Sequence, residues 1–143
     1  MSVSLQKRQT ISLAKESKGQ LKSVQVGLGW DPVKKGGFLG GLFGGSDSID
    51  LDASCAMLAL NGDMLDLVWF RQLESKCGSI RHSGDNLTGD GDGDDEVIYI
   101  DLTKIPSNVE YLAITVNSFR GQTFNEVQNA FCRVVNDKGV ELG

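Results

Sequence analysis

Apolar and polar residues alternate along many short segments of this chain, and no long segment shows helical periodicity. In LKSVQVGLGW the residues Val24, Val26, Leu28 and Trp30 fall on one face of an extended strand. Other alternating segments are VSLQ, TISLA, IDLDASCAML, MLDLVWF, SIRHS, EVIYIDL, YLAITVNSF and AFCRVV. A period of two is typical of half-buried strands, so the sequence predicts an all-β chain folded as a β-sandwich of two packed sheets.

One segment shows helical spacing instead. In GQTFNEVQNAF, residues 121–131, the side chains of Phe124, Val127 and Phe131 recur at i, i+3 and i+7. Thr123 and Glu126 have the spacing of a capping box. We therefore predict one short helix here, which plugs an edge or an end of the sandwich.

The length of the chain suits one domain, residues 1–143, with a single core. Its last ten residues, VVNDKGVELG, place the turn residues Asn136, Asp137 and Gly139 after a strand. A hairpin begins there, and the sequence stops as the second arm begins. We therefore expect the domain to lack a C-terminal portion of at least one strand.

Composition argues against several functional classes. The N-terminus lacks the apolar core of a signal peptide, and no apolar run approaches the roughly 18 residues of a membrane span. We therefore expect a cytoplasmic protein that is not itself a membrane protein. The net charge is −5 and the basic residues are scattered, which argues against nucleic acid as a partner.

The three cysteines lie far apart and form no CxxC pair, so neither a disulfide framework nor a zinc site is indicated. Cys55 and Cys132 lie on apolar strand faces. We expect both thiols to be buried and unpaired.

Acidic residues are concentrated between residues 85 and 101, where there is no lysine or arginine. The seven are Asp85, Asp90, Asp92, Asp94, Asp95, Glu96 and Asp101. Calcium prefers about six to eight oxygen ligands in flexible geometry, and a turn rich in aspartate and glycine supplies them. Magnesium fits less well, because it prefers one or two carboxylates and several waters. The alternative is a solvated acidic turn.

The acidic segment is not an EF-hand loop. DGDGD, residues 90–94, has its opening pattern, but Asp95 stands at the sixth position and Asp101 at the twelfth. An EF-hand needs glycine and glutamate there, and helices on both sides. A calcium site between β-strands is more consistent with this sequence than an EF-hand. Asp50 and Asp52 support it, because alternation places both carboxylates on one strand face, about 7 Å apart.

The sequence supports catalysis less strongly than metal binding. His82, the only histidine, lies near Ser83 and Asp85, but neighbouring residues of a strand point to opposite faces and do not form a triad. A structural or ligand-supporting role is favoured over that of a general base.

The glycine-rich segment 31–48 argues against regular structure and predicts a surface loop, with a contact for a partner or membrane surface as the alternative.

Four segments resemble, in this order, the signature segments of the TerD family of tellurite-resistance and chemical-stress proteins. They are VGLGWD (26–31), IDLDAS (49–54), SIRHSGDNLTGDGDGDDE (79–96) and RGQTFNEVQNAFCRVVN (120–136). The resemblance covers nearly the whole chain, and its acidic segment is long and unusual. This chain departs from the family in two ways. It has a phenylalanine–glycine insert before Ile49, and it lacks the C-terminal portion that family members usually carry.

The resemblance implies a β-sandwich that binds two calcium ions through the acidic loop and the IDLDAS strand. The implied ligands are Asp50, Asp52, Asp85, Asn86, Asp90, Asp92, Asp94, Asp95 and Glu96, with Thr88 or Gly91 contributing through the backbone. It also implies a cytoplasmic, non-enzymatic protein that assembles with other stress-response proteins near the membrane.

Three hypotheses follow. The first is a calcium-binding module of a bacterial tellurite and chemical-stress response, whose ions order one end of the sandwich and display a surface to partners. The second is a metal-dependent hydrolase that uses the carboxylate cluster. The third is a scaffold in which Phe38–Phe43 binds the partner and calcium is structural.

Overall fold

A computed structural model of the chain describes residues 6, 8–16, 21–32, 49–87, 93–119 and 127–143. One short helix, α1, precedes seven strands, and a single 3₁₀ turn, Leu102–Lys104, follows the fifth strand. The elements are α1 (Leu13–Glu16), β1 (Ser23–Pro32), β2 (Leu51–Leu58), β3 (Met64–Val68), β4 (Ile80–His82), β5 (Glu96–Asp101), β6 (Tyr111–Ser118) and β7 (Val127–Asn136).

The strands form two antiparallel sheets. The first sheet has the order β4-β5-β1-β7, and the second has the order β3-β2-β6. The predicted all-β sandwich of two packed sheets is therefore confirmed. Most of the alternating segments correspond to strands, because each has one face to bury against the opposite sheet.

Inward-facing residues of both sheets build one core. From β1 these are Val24, Val26, Leu28 and Trp30, and from β2 they are Leu51, Ala53, Cys55 and Met57. Every one of these side chains is at most 6% exposed. The indole N–H of Trp30 donates to the carbonyl of Ile49 (3.0 Å), which joins the end of β1 to the start of β2. This end of the sandwich also carries the predicted acidic site.

The structure corrects two of the local predictions. TISLA was expected to be a strand, but Leu13–Glu16 form helix α1. The second half of the predicted helix at 121–131 is also wrong, because residues 127–131 belong to β7 and pair with β1. Long-range pairing along β1 outweighs the local helical spacing. Three parts of the predictions lie outside the described residues: the capping residues Thr123 and Glu126, residues 3–5 of VSLQ, and residues 33–48 of the glycine-rich segment. The first two residues of that segment, Asp31 and Pro32, were not expected in regular structure but belong to β1.

The cysteines divide into one buried and two exposed thiols, none of them in a disulfide. Cys55 is buried as expected, and burial raises its pKa to about 12. The burial predicted for Cys132 is wrong, because this residue is exposed, but its thiol is unpaired as expected. β7 is the outer strand of a four-stranded sheet, and the described part of the facing sheet has only three strands.

The predicted turn after β7 is present. Gly139 has a φ of 74°, and the N–H of Leu142 donates to the carbonyl of Val134 (2.7 Å), so residues 140–142 run back along β7. Among the described residues, no helix is long and apolar enough to cross a membrane.

Candidate metal centre

Three carboxylates meet where β2 begins. Asp50 and Asp52 point away from the core, because the alternate residues Leu51 and Ala53 face inward. Asp85 comes from the loop that follows β4. One oxygen from each of the three carboxylates lies within 4.8 Å of the other two. The structure therefore brings together the strand aspartates and the first aspartate of the acidic segment.

Asp52 lies close to the other carboxylates of the cluster. The residue as a whole is 8% exposed, but its carboxylate is only partly buried and lines a cavity, and no described residue donates a hydrogen bond to it. Burial raises its pKa to about 6, and repulsion from Asp50, Glu96 and Asp85 adds to the shift. A partly buried carboxylate beside other carboxylates costs free energy when it is ionised, so the site favours a proton or a cation at this position.

The spacing of the three oxygens fits a calcium ion. Calcium binds oxygen at about 2.3–2.6 Å, so two ligands of one ion lie at most about 5 Å apart. Magnesium, at about 2.1 Å, draws its ligands within about 4.2 Å of one another in rigid octahedral geometry. The three carboxylate oxygens lie within 4.8 Å of one another, which is compatible with shared binding of one calcium ion. The donor set is entirely oxygen, which suits either hard cation.

Glu96 contacts the protein at several points. Its Oε2 accepts from the backbone N–H of Ala53 (2.8 Å), and its Oε1 accepts from that of Asn86 (3.2 Å). His82 Nε2 lies 3.3 Å from Oε2, and both side chains are fully buried. Glu96 therefore ties the start of the acidic loop to β2 and β4. In the described structure both carboxylate oxygens of Glu96 therefore contact protein groups.

Asp94 and Asp95 are also held by the protein. Arg133 donates to both oxygens of Asp94, from Nε and from Nη2, each at 2.9 Å. Asp95 accepts from the N–H of Trp30 (2.9 Å) and from the side-chain amide of Asn86 (3.1 Å). These contacts hold the end of the acidic loop on β7 and β1, and they join it to Asn86 at the start of the loop. Asp90 and Asp92, with Thr88 and Gly91, lie outside the described residues.

His82 is 3% exposed, and both ring nitrogens have partners. Nδ1 accepts from the N–H of Gly84 (3.0 Å), so the proton of the neutral ring is on Nε2, which faces the Ala53 carbonyl at 3.2 Å and Glu96. Burial disfavours the charged ring, but the hydrogen bond to Glu96 outweighs this and raises its pKa. The contacts fit the structural role favoured from the sequence.

Comparison with known proteins identifies the family. The family model described as the TerD domain matches residues 1–142. The chain belongs to the TerD family. It is 66% identical over 140 residues to the tellurium resistance protein TerZ of Serratia marcescens, an alignment that covers 98% of this chain and 72% of that protein.

Two further similarities agree with this assignment. The chain is 49% identical over 150 residues to the stress response protein SCP2 of Bacillus subtilis (strain 168), which covers 99% of this chain and 74% of that protein. A solved homologue of telluride resistance protein (TerD) from Streptomyces coelicolor A3(2) has a TM-score of 0.70 at 25% identity, over 87% of this chain and 70% of the other.

Two glycines of β1 in this TerD chain were not singled out from the sequence, yet they shape the site. A Cβ at Gly27 would lie 2.5 Å from the Asp94 carboxylate. A Cβ at Gly29 would lie 2.4 Å from the ring of Phe131 and 2.7 Å from the carbonyl oxygen of Gly93. Glycine at alternate positions of a buried strand is a signal of close approach by other groups. Here it allows Gly93 and Asp94 to lie against β1.

Gly29→Ala should therefore destabilise the TerD domain more than Gly27→Ala. We expect a loss of about 1–3 kcal/mol for Gly29→Ala, because the backbone of Gly93 and a packed ring must both move. At Gly27 only the end of a side chain must move, although its ion pair with Arg133 is then disturbed. Urea unfolding of both variants measures the difference. Equal unfolding midpoints for Gly29→Ala and wild type would contradict the proposed close approach.

Proposed function

We propose that this TerD-family chain is a calcium-binding module of a tellurite and chemical-stress response, in which Asp50, Asp52 and Asp85 bind one ion. The observation that carries the proposal is the convergence of three carboxylate oxygens within 4.8 Å of one another, among them the partly buried carboxylate of Asp52, to which no described residue donates a hydrogen bond. The names of the relatives, tellurium resistance and stress response proteins, support the biological role.

Electrostatics supports a cation at this position. With all three carboxylates ionised, the cluster has a formal charge of −3 on one end of the sandwich, and the pKa of Asp52 is raised to about 6 because of burial and this repulsion. A divalent ion removes most of that repulsion and replaces the missing hydrogen-bond donors. It also joins β2 to the loop after β4, so ion binding orders a surface that spans both sheets.

The remaining parts of the proposal rest on the family resemblance. A second ion would use the acidic residues at 90–92, which lie outside the described residues. The calcium-ordered surface would be presented to other stress-response proteins in the cytoplasm, without catalysis by this chain. The relatives are named as resistance and stress proteins, which supports a non-enzymatic role.

Calorimetric titration of metal-stripped protein with calcium, and then separately with magnesium, tests the proposal. We expect saturable calcium binding that is much tighter than magnesium binding, because three carboxylates at one centre suit calcium, whereas magnesium prefers one or two carboxylates and several waters. Asp137→Asn is the matched control, since it removes one exposed carboxylate from the turn after β7 and should leave calcium binding unchanged. Absence of calcium binding, or equal affinity for magnesium, would contradict the proposal.

One observation favours the hydrolase alternative. Asp52 also lines a cavity of about 250 Å³ with Trp69, Phe70, Asn117 and Phe119, so a ligand could approach the ion from this side. Against it, His82 is buried and engaged through both ring nitrogens, and so is poorly placed to act as a general base. Calcium-dependent hydrolysis of a phosphoester, lost in Asp52→Asn, would favour the enzyme.

A further inference from the structure

Two buried side chains, those of His82 and Glu96, bond the backbone of β2 beyond the reach of β3. The pairing of β3 with β2 begins at Cys55, two residues after Ala53. The N–H of Ala53 donates to Glu96 Oε2 (2.8 Å), and its carbonyl oxygen lies 3.2 Å from His82 Nε2. The two side chains therefore take the place of a neighbouring strand at the residue that follows Asp52.

The same two side chains bond the backbone on both sides of Asp85. His82 Nδ1 accepts from the N–H of Gly84 (3.0 Å), and Glu96 Oε1 accepts from the N–H of Asn86 (3.2 Å). The side chain of Asp85 itself is exposed. The position of its carboxylate therefore depends on the backbone around it more than on the packing of its own side chain.

The bond from Gly84 to His82 closes a tight turn. A side-chain acceptor that bonds the N–H two residues later is the arrangement of an Asx turn, here with an imidazole nitrogen as the acceptor. Ser83 still pairs with β5, because its N–H donates to the Val97 carbonyl (2.8 Å) and its Oγ accepts from the Val97 N–H (2.9 Å). Gly84 has a φ of 115°, which residues with a side chain rarely adopt. The turn therefore changes the chain direction directly before Asp85.

We propose that His82 is a positioning residue of the calcium centre, whose Nδ1 holds the turn at Gly84 and so places the Asp85 carboxylate beside Asp52. This inference rests on the proposed calcium function. His82 does not bind the ion in this proposal and acts only through Asp85. Residues that hold the ligands of a metal in position commonly change metal affinity by about 10–100-fold when they are replaced.

The two ring nitrogens of His82 have separable roles. Nε2 faces the buried carbonyl of Ala53 and the carboxylate of Glu96, so its contacts contribute to the stability of the fold. Nδ1 bonds the partly buried N–H of Gly84, so its contact fixes the turn. A variant that keeps only one of these contacts should therefore affect calcium affinity and stability to different extents.

His82→Asn and His82→Gln each keep one of the two contacts. The side-chain oxygen of asparagine can accept from Gly84 as in an ordinary Asx turn, but this side chain is too short to reach Ala53. Glutamine can donate to the Ala53 carbonyl but offers no acceptor at the position of Nδ1. The pair of variants therefore separates the turn from the buried contacts.

Calorimetric titration of the metal-stripped variants with calcium at pH 8 is the main test. His82→Gln should weaken calcium binding by about tenfold or more, whereas His82→Asn should recover most of the affinity and remain within about threefold of the wild type. Thermal unfolding of the metal-free proteins should not follow this order. His82→Asn should lower the unfolding temperature at least as much as His82→Gln, because it leaves a buried carbonyl without this partner.

A measurement on the metal-free protein reports on the turn directly. Hydrogen exchange of the Gly84 amide should be slow in the wild type and in His82→Asn, and at least about tenfold faster in His82→Gln. Ile80→Val is the matched control, because it removes a buried methyl group from the same strand and leaves the turn unchanged. It should lower the unfolding temperature without weakening calcium binding.

The inference is overturned if His82→Gln binds calcium as tightly as the wild type, or if His82→Asn loses as much affinity as His82→Gln. If His82→Gln does not fold, Gly84→Ala decides, because it strains the turn and leaves the buried pair in place. This variant should weaken calcium binding by about tenfold, and unchanged affinity would overturn the inference. Absence of calcium binding by the wild type would overturn the proposed function itself, and this inference with it.

Discussion

Glu96→Ala should lower the free energy of unfolding by about 3–5 kcal/mol when measured in the presence of a chelator. The Glu96 side chain is fully buried and accepts hydrogen bonds from the N–H groups of Ala53 and Asn86. Its removal leaves the buried N–H of Ala53 and the partly buried N–H of Asn86 without this acceptor, and takes away the carboxylate beside His82. The loss combines two broken hydrogen bonds, a broken ion-pair contact and a cavity.

The chelator separates two roles for Glu96. If this residue acted mainly as a metal ligand, its removal from metal-free protein would relieve repulsion with Asp52 and would stabilise the fold. If Glu96 instead acts mainly through its hydrogen bonds to the protein, its removal destabilises the fold whether metal is present or not. Glu110→Ala, which removes an exposed glutamate, is the control and should change stability by no more than about 0.5 kcal/mol. Stabilisation by Glu96→Ala would show that the structural role is wrong.

Much of the fold could be predicted because alternation is a local property. Each inward-facing set, such as Val24, Val26 and Leu28, is visible within a single segment and needs no knowledge of its partner. The errors fall where long-range contacts decide the outcome. Residues 127–131 have helical spacing, yet they pair with β1 about a hundred positions earlier in the chain. Cys132 follows the alternation of a strand, but its exposure depends on the width of the facing sheet.

The sequence predicts which acidic residues belong to the candidate site. It does not predict which of them meet at the metal centre and which of them anchor the loop. Alternation along β5 already placed Glu96 on the same face as Ile98 and Ile100, which was a local signal for a buried, protein-bound carboxylate. No comparable signal marks Asp94, whose partner Arg133 is 39 positions away. The TerD resemblance identified the acidic segment as a whole. Only the three-dimensional contacts separate carboxylates that meet at a centre from those that anchor the loop.

Asp52→Asn should weaken calcium binding by at least about tenfold and make the metal-free fold no less stable at pH 7.5. The first effect follows from removal of the central charge of the cluster. The second follows from the pKa of Asp52, which is raised in the fold. A carboxyl whose folded pKa is raised contributes stability at low pH and loses it as the pH rises through that value, here about 6. At pH 7.5 the ionised group therefore destabilises the metal-free protein, and asparagine removes that penalty.

The same pKa predicts how calcium binding depends on pH. Below about pH 6 the ion must displace a proton from Asp52, so the calcium affinity of the wild type should fall by up to about tenfold per pH unit. Above pH 7 this proton is already absent, and this contribution to the pH dependence should disappear. At about 100 times its dissociation constant, calcium should add roughly 2.7 kcal/mol to the stability of the wild type.

Thermal unfolding at pH 5.0, 6.0 and 7.5, with and without calcium, measures both effects for the wild type and Asp52→Asn, with Asp137→Asn as the control at an exposed carboxylate. The variant should show a smaller calcium effect and a flatter dependence on pH between 5 and 7, because the titrating ligand is gone. If calcium stabilised the wild type and Asp52→Asn equally at every pH, Asp52 would not be a ligand. The convergence of Asp50, Asp52 and Asp85 would then be an acidic surface feature without a metal.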